Sequence, residues 1–242
     1  MRLPTIQGVI KRRILVNFRA EPDVIQKRLP ARFRPKLQAG YAVVGICLIR
    51  LEHLRPKLVP EFVGLSSENA AHRIAVLWDD KEGRTHEGVF IPRRDTNSPV
   101  NLLLGGRAFP GEHHRAAFRV RQSREAIALS IRSADGEVAV EVEGAISEEL
   151  PATSIFPSLE AASAFFEGGS LGYSLTRDEG RLDGLRLKTD NWRVEPLKVS
   201  RVRSSYFGDT SKFPPGSIEF DHALLMRNID HEWHNADHLY IQ

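Results

Sequence analysis

Apolar and polar positions alternate with a period of two along most of this chain, the pattern of β-strands with one covered face. "RRILVNFR", "HRIAVLW", "GVFIPRR", "RAAFRVRQ", "AIALSIRS" and "EVAVEVEG" all follow it. "YAVVGICLI" is instead apolar at consecutive positions, which predicts a strand buried on both sides. The two segments "AIALSIRS" and "EVAVEVEG" flank Ala134-Asp135-Gly136, whose Asp-Gly step predicts a hairpin. Later stretches, "RLDGLRLKTDNWRVEPLKVSRVRSSYF" and "SIEFDHALL", are strand-like as well.

Helical signals are few. "EPDVIQKRLP" places Pro22 early and stops before Pro30, and "TNSPVNLLLGG" is a short helix closed by two glycines. "SLEAASAFFEGG" has Ser158 as its N-cap and Gly168-Gly169 as its stop. Repeats, low-complexity tracts and linkers are absent. The pattern predicts one mostly antiparallel β domain over residues 1–242, with its core at about 12–225 and a C-terminal tail at 226–242.

Composition adds bounds. A hydrophobic fraction of 41% and a charged fraction of 27% are those of a soluble globular protein. Apolar runs fall short of the ~18 residues a membrane helix needs. "MRLPTIQGVIKRR" lacks a signal-peptide core, so the expected location is cytoplasmic, with no membrane partner. The net charge of +3 comes from scattered basic residues, not one basic face interleaved with aromatics, so no nucleic-acid partner is expected. The single cysteine, Cys47, reads as a small buried hydrophobe.

The order of several segments resembles the acetoacetate decarboxylase-like superfamily, most closely an uncharacterised branch of it. The resemblance is carried by "VNFRAEPDVIQKRLPARFRP", "VGLSSENAAHRIAV", "GVFIPRRDTNSPVNLLLGGRAFP" and "EFDHALL", together spanning about residues 12–225. It implies a mainly β (α+β) fold of antiparallel sheets closed into a barrel or cone around a cavity, with a few short helices. It also implies assembly into homo-oligomers. In the true decarboxylases a lysine after a (Tyr/Phe)-Pro step forms a Schiff base, and a second lysine beside it lowers its pKa. Here Phe109-Pro110 is followed by Gly111 and Glu112. Glycine forms no imine, and a glutamate would raise a neighbouring amine's pKa. Ordinary decarboxylase activity is therefore not expected.

The resemblance puts Glu68 at the family's active-site glutamate, as a general base or ligand-orienting group; the other reading is a surface residue at a strand start. This chain has about one residue more than the family pattern between Glu68 and "IAV", which raises a bulge. On a regular strand Glu68, Ala70 and His72 share a face. On a strand His113 and His114 would point to opposite faces, so at most one of them enters the lumen; the other reading is two exposed loop histidines. Arg107 matches the Arg of the family's "GRE" segment, fixing a corner by a salt bridge or capturing a carboxylate. Glu68, His113 and Arg107 are thus the catalytic candidates, and His72, His114 and Glu112 the ligand-binding ones. Lys198 is the one lysine on a strongly patterned late strand. His231, His234 and His238 fall on one face if "DHEWHNADH" is helical, but lack a complete ligand set, so no metal and no cofactor is expected. Two functions follow. One is a lyase, isomerase or hydratase acting on a small acidic or carbonyl-bearing molecule by acid–base chemistry without an imine. The other is a non-catalytic small-molecule-binding or scaffold barrel.

Overall fold

The structure, a computed structural model, describes residues 4–106, 109–176, 178 and 180–241. Its strands are β1 (Ile6–Ala20), β2 (Arg34–Pro35), β3 (Leu37–Gln38), β4 (Tyr41–Pro56), β5 (Leu65–Asp79), β6 (Thr85–Thr96), β7 (His113–Gln122), β8 (Ala126–Ser133), β9 (Ala139–Ile146), β10 (Leu171–Leu175), β11 (Arg181–Lys188), β12 (Glu195–Ser204) and β13 (Ile218–Tyr240). Three helices accompany them: α1 (Pro22–Gln26), α2 (Pro99–Leu104) and α3 (Leu159–Gly168). The caps follow the sequence. Ser98 and Ser158 accept hydrogen bonds from the amides of Asn101 and Ala161, the first turns' otherwise unpaired donors. No helix among the described residues is long and apolar enough to cross a membrane.

The strands form one sheet that closes on itself twice, so the expected single barrel is replaced by two lobes sharing a wall. The wall is β13-β1-β4-β5-β6. On one side β7, β8, β9 and β12 link β6 back to β13; on the other, β10 and β11 make the same link. Most pairings are antiparallel, with β6–β7 and β6–β10 parallel. A shared wall needs apolar side chains on both faces, and β4 supplies them. Val44, Ile46 and Leu48 pack into the larger lobe, while Val43, Cys47 and Ile49 pack into the other. Helix α3 covers the second lobe with Phe165 and Phe166.

The C-terminal residues depart from the expected tail. Residues 231–240 are the second half of β13, paired to β1 from Gly8 to Ile6 and to β11 from Lys188 to Arg181. One face of this segment meets solvent, which gives it a polar composition although it is part of the wall. In a strand the three histidines do not share a face. His231 is buried, His234 Nε2 lies 2.8 Å from Glu232, and His238 Nδ1 lies 2.7 Å from Asp183.

Two local irregularities place the functional side chains. Gly45 sits in mid-strand, in register with Asn17 of β1 on one side and Arg73 of β5 on the other. A Cβ there would meet the Val16 carbonyl oxygen at 2.3 Å, so only glycine allows this approach. With no side chain between them, Arg73 reaches across and donates to Asn17 Oδ1. The second is a bulge in β6. Between the pairs Ile74↔Phe90 and His72↔Arg93, β6 carries one residue more than β5. Pro92 lies in that extra stretch, where its missing N–H costs no ladder bond. The bulge reverses the alternation, so Arg94 rather than Arg93 shares a face with Val89 and Ile91.

Candidate functional site

The second lobe encloses a cavity of about 140 Å³. Its walls are largely apolar: Ile49 and Leu51 of β4, Val89 and Ile91 of β6, Leu185 and Leu187 of β11, and Trp233 of β13. A dry engineered cavity of about 150 Å³ holds benzene, so this space suits a ligand of about six non-hydrogen atoms.

Against these walls stand three arginines, Arg13 of β1, Arg73 of β5 and Arg94 of β6. Among the described residues none of them has a carboxylate within ion-pair distance. Arg13 Nε donates to Cys47 Sγ at 3.2 Å, and its guanidinium lies 5.5 Å from the Trp192 ring centroid. Arg73 is 5% exposed, stacks over Phe166 at 4.7 Å and leaves its Nε without a hydrogen-bond partner. Arg94 donates from Nε to Ser174 Oγ at 3.2 Å. Burial pulls both Arg73 and Arg94 down to about 10, and the Cys47 sulfur acts in the opposite sense. Both remain cationic at neutral pH. Burying unpaired cations is costly, and a bound anion is the natural compensation. Asp95 also borders the cavity but is engaged by Arg93, Nη2 to Oδ1 at 2.9 Å.

Arg73 is held from behind by a buried chain of hydrogen bonds. Asn17, which accepts from Arg73, lies 3.0 Å from His222 Nε2 through its amide nitrogen, and His222 Nδ1 lies 2.5 Å from Asp221 Oδ2. Ser154 Oγ and the Ile155 amide donate to Asp221 at 2.7 and 2.9 Å. In this chain His222 Nε2 accepts from the Asn17 amide and Nδ1 donates to Asp221.

Among the expected site residues, His113 lines the cavity. Its Nδ1 lies 3.2 Å from the Gly111 carbonyl, which makes Nδ1 the donor and Nε2 the free basic nitrogen. Burial first, and the Arg94 charge second, push His113 down to about 3, so its ring is neutral at pH 7. His114 points the other way, Nδ1 3.2 Å from Asp135 Oδ2, as the alternation expected. Glu112 is exposed. Glu68 and His72 do not line this cavity; both side chains pack in the larger lobe. There Arg12 Nη2 donates to Glu68 Oε2 at 2.5 Å. His72 is fully buried against Tyr206 and Phe207, its ring nitrogens unbonded, and burial pushes it down to about 3. Arg107 lies outside the described residues. The structure therefore brings together one expected residue, His113, and three arginines that the sequence reading passed over. Among the described residues no group of three or more His, Cys, Asp or Glu is placed to hold a metal ion.

Gly111 occupies the turn beside this cavity with φ +76°, a conformation side chains rarely adopt. A Cβ there would meet Ser174 Cβ at 2.7 Å and Arg94 Nε at 3.3 Å. Among the residues lining the cavity none is a lysine, and Lys188 and Lys198 are both exposed. Borohydride trapping with acetoacetate is expected to leave the mass of the protein unchanged. Gly111→Lys is expected to lose about 1–3 kcal/mol from backbone strain and to gain no trapped adduct. A trapped adduct on the unmodified chain would overturn this.

The fold is that of acetoacetate decarboxylase-like proteins. The acetoacetate decarboxylase of Legionella pneumophila superposes with a TM-score of 0.64 at 10% identity, over 98% of this chain and 88% of that one. An acetoacetate decarboxylase-like enzyme of Sphingomonas wittichii RW1 gives 0.60 at 12% identity, over 98% and 93%. The enduracididine biosynthesis enzyme MppR complexed with pyruvate gives 0.61 at 9% identity, over 100% and 91%. Residues 9–221 match the DUF2071 family, described as an uncharacterized conserved protein, and the chain belongs to that family. No curated protein sequence matches the chain.

Proposed function

We propose that this protein holds a small carboxylate, most simply one bearing a second carbonyl, in the arginine-lined cavity, and transforms it by proton transfer without an imine. The observation that carries the reading is three guanidiniums around one apolar space, Arg73 buried and Arg13 and Arg94 half-buried, with no carboxylate partner among the described residues. A guanidinium fork grips a carboxylate through two parallel hydrogen bonds. The surrounding walls are largely apolar, so each such bond is stronger than it would be in solution. His113 contributes a neutral ring whose Nε2 can take a proton, and a bound anion would raise its pKa. That the structural neighbour MppR is complexed with pyruvate fits a ligand of this size and charge. Glu68, by contrast, is read as half of a structural ion pair. The alternative of binding without turnover shares the same cavity and differs only in whether a product forms.

The test is a thermal-shift and calorimetric screen of pyruvate, acetoacetate and related acids against the wild type and Arg94→Gln. Wild type should be stabilised by at least one of them. Arg94→Gln should bind it about 10- to 100-fold more weakly, the worth of one hydrogen bond to a charged group. Relieved of a buried cation, the free variant should melt no lower than wild type. Equal affinity in the two proteins would remove the reading.

A further inference from the structure

Cys47 is buried in the apolar cluster of the second lobe, yet its sulfur also carries a polar contact. It occupies the centre of the shared wall, in register with Leu15 of β1 and Ala71 of β5, and it borders the cavity. Its small neighbour Ala71 lines the same cavity. A thiol packed among hydrocarbon has no polar donor aimed at it, whereas Arg13 Nε donates to this sulfur at 3.2 Å. Arg73 and Arg94 lie within electrostatic reach of it. Independently, Arg73, 5% exposed and with its Nε lacking a hydrogen-bond partner, lines the same cavity and calls for an anionic group there.

From this geometry we infer that Cys47 is a nucleophile: its thiol adds to the electrophilic carbon of a small carboxylate, such as a 2-oxo acid, held by the three arginines. The inference rests on the proposed reading of the cavity as a carboxylate site. In the addition, the sulfur lone pair forms the S–C bond at the carbonyl carbon and the C=O π pair moves to oxygen. The proton lost by the thiol ends on that oxygen. The product is a hemithioketal, reached without oxidant or co-reactant and reversible by the same route. The arginines bind the ligand's carboxylate and so hold its carbonyl carbon beside the sulfur. His113 Nε2, unprotonated at neutral pH, is the group in the cavity able to carry the proton between sulfur and oxygen.

The experiment uses the folded full-length chain, where a single cysteine makes every alkylation event assignable by intact mass. Rates of alkylation by anionic iodoacetate and neutral iodoacetamide are measured in parallel with glutathione. In each reaction an S–C bond forms and iodide leaves, so the pair differs in reagent charge. The ratio of the iodoacetate rate to the iodoacetamide rate is expected to exceed the glutathione ratio by about 10-fold or more, the lower end of what a focused cationic field supplies. It should fall toward the glutathione value in Arg94→Gln, and pyruvate should slow the modification. A folded protein whose ratio equals that of glutathione, or whose thiol is not alkylated over hours, overturns the inference. The carboxylate reading is judged separately, by a thermal shift with pyruvate that is present in wild type and lost in Arg94→Gln. If that shift persists while the alkylation ratio is ordinary, the nucleophile is refuted and the binding site stands. If the ratio is raised with no thermal shift from any acid, the reactive thiol stands and the proposed function falls.

Discussion

A chain ending at Asp230 is expected not to fold cooperatively. The deletion removes the half of β13 that pairs with the start of β1 and with all of β11. β11 would then keep only β10 as a neighbour, and the second lobe would lose its closing strand. Ile6, Leu182 and Leu187 are all buried beneath or beside this segment, and Trp233 goes with it. Each large apolar side chain returned to water costs about 1.5–3 kcal/mol, and these together approach the whole stability of a typical domain, about 5–15 kcal/mol. The newly bare edge of β1 would also offer unpaired amides and carbonyls to other chains. Circular dichroism melts and limited proteolysis of residues 1–230 should therefore show no native-like transition, with much of the product insoluble. A cooperative melt within about 5 °C of the full chain would show that the wall is complete without the C-terminal strand.

That strand also shows where the sequence could be read and where it could not. Ile229, His231 and Trp233 keep the period of two through "NIDHEWH", so the signal was present, but histidine and tryptophan on the inner face do not register as a core stripe. The helices were legible because their caps are local: Ser98, Ser158 and the terminal glycines act within a turn. "YAVVGICLI" was legible too, because a wall between two lobes must be apolar on both faces. The arginine cluster was not, since its assembly depends on two backbone irregularities. In a regular β6, Arg93 would share the face of Val89 and Ile91; the bulge at Pro92 puts Arg94 there instead. Arg13 reads as part of the basic run Lys11-Arg12-Arg13, and only the alternation of β1 separates it from Arg12 on the opposite face. Arg73 did leave a trace. It is the one charge inside "HRIAVLW", a segment otherwise fit for burial on both sides.

Glu68→Gln is expected to unsettle the fold while leaving carboxylate binding untouched. Glu68 pairs with Arg12 at 2.5 Å, and the two side chains are 12% and 5% exposed. Arg12 Nε already lacks a partner, and its remaining described hydrogen bond, to Gln122 Oε1, is 3.4 Å long. Glutamine preserves the shape but leaves the guanidinium as an uncompensated charge in a dry setting. Breaking a buried pair from one side costs about 3–5 kcal/mol, which in a chain of this length lowers the melting temperature by roughly 10 °C. Replacing both partners by apolar residues, as in Arg12→Met with Glu68→Leu, should recover much of that loss, because the charge is removed along with its partner. Through all of this the affinity for pyruvate or acetoacetate should stay within about 3-fold of wild type, since Glu68 faces the larger lobe and the proposed ligand site lies in the other. Separating the two readouts is what gives the comparison its force. A Glu68→Gln protein that melts as wild type but no longer binds the acids would place Glu68 in the ligand site and return the acid–base role to it. A protein that melts far lower and, once folded, binds as before assigns Glu68 to the architecture and leaves the chemistry to the arginine-lined cavity.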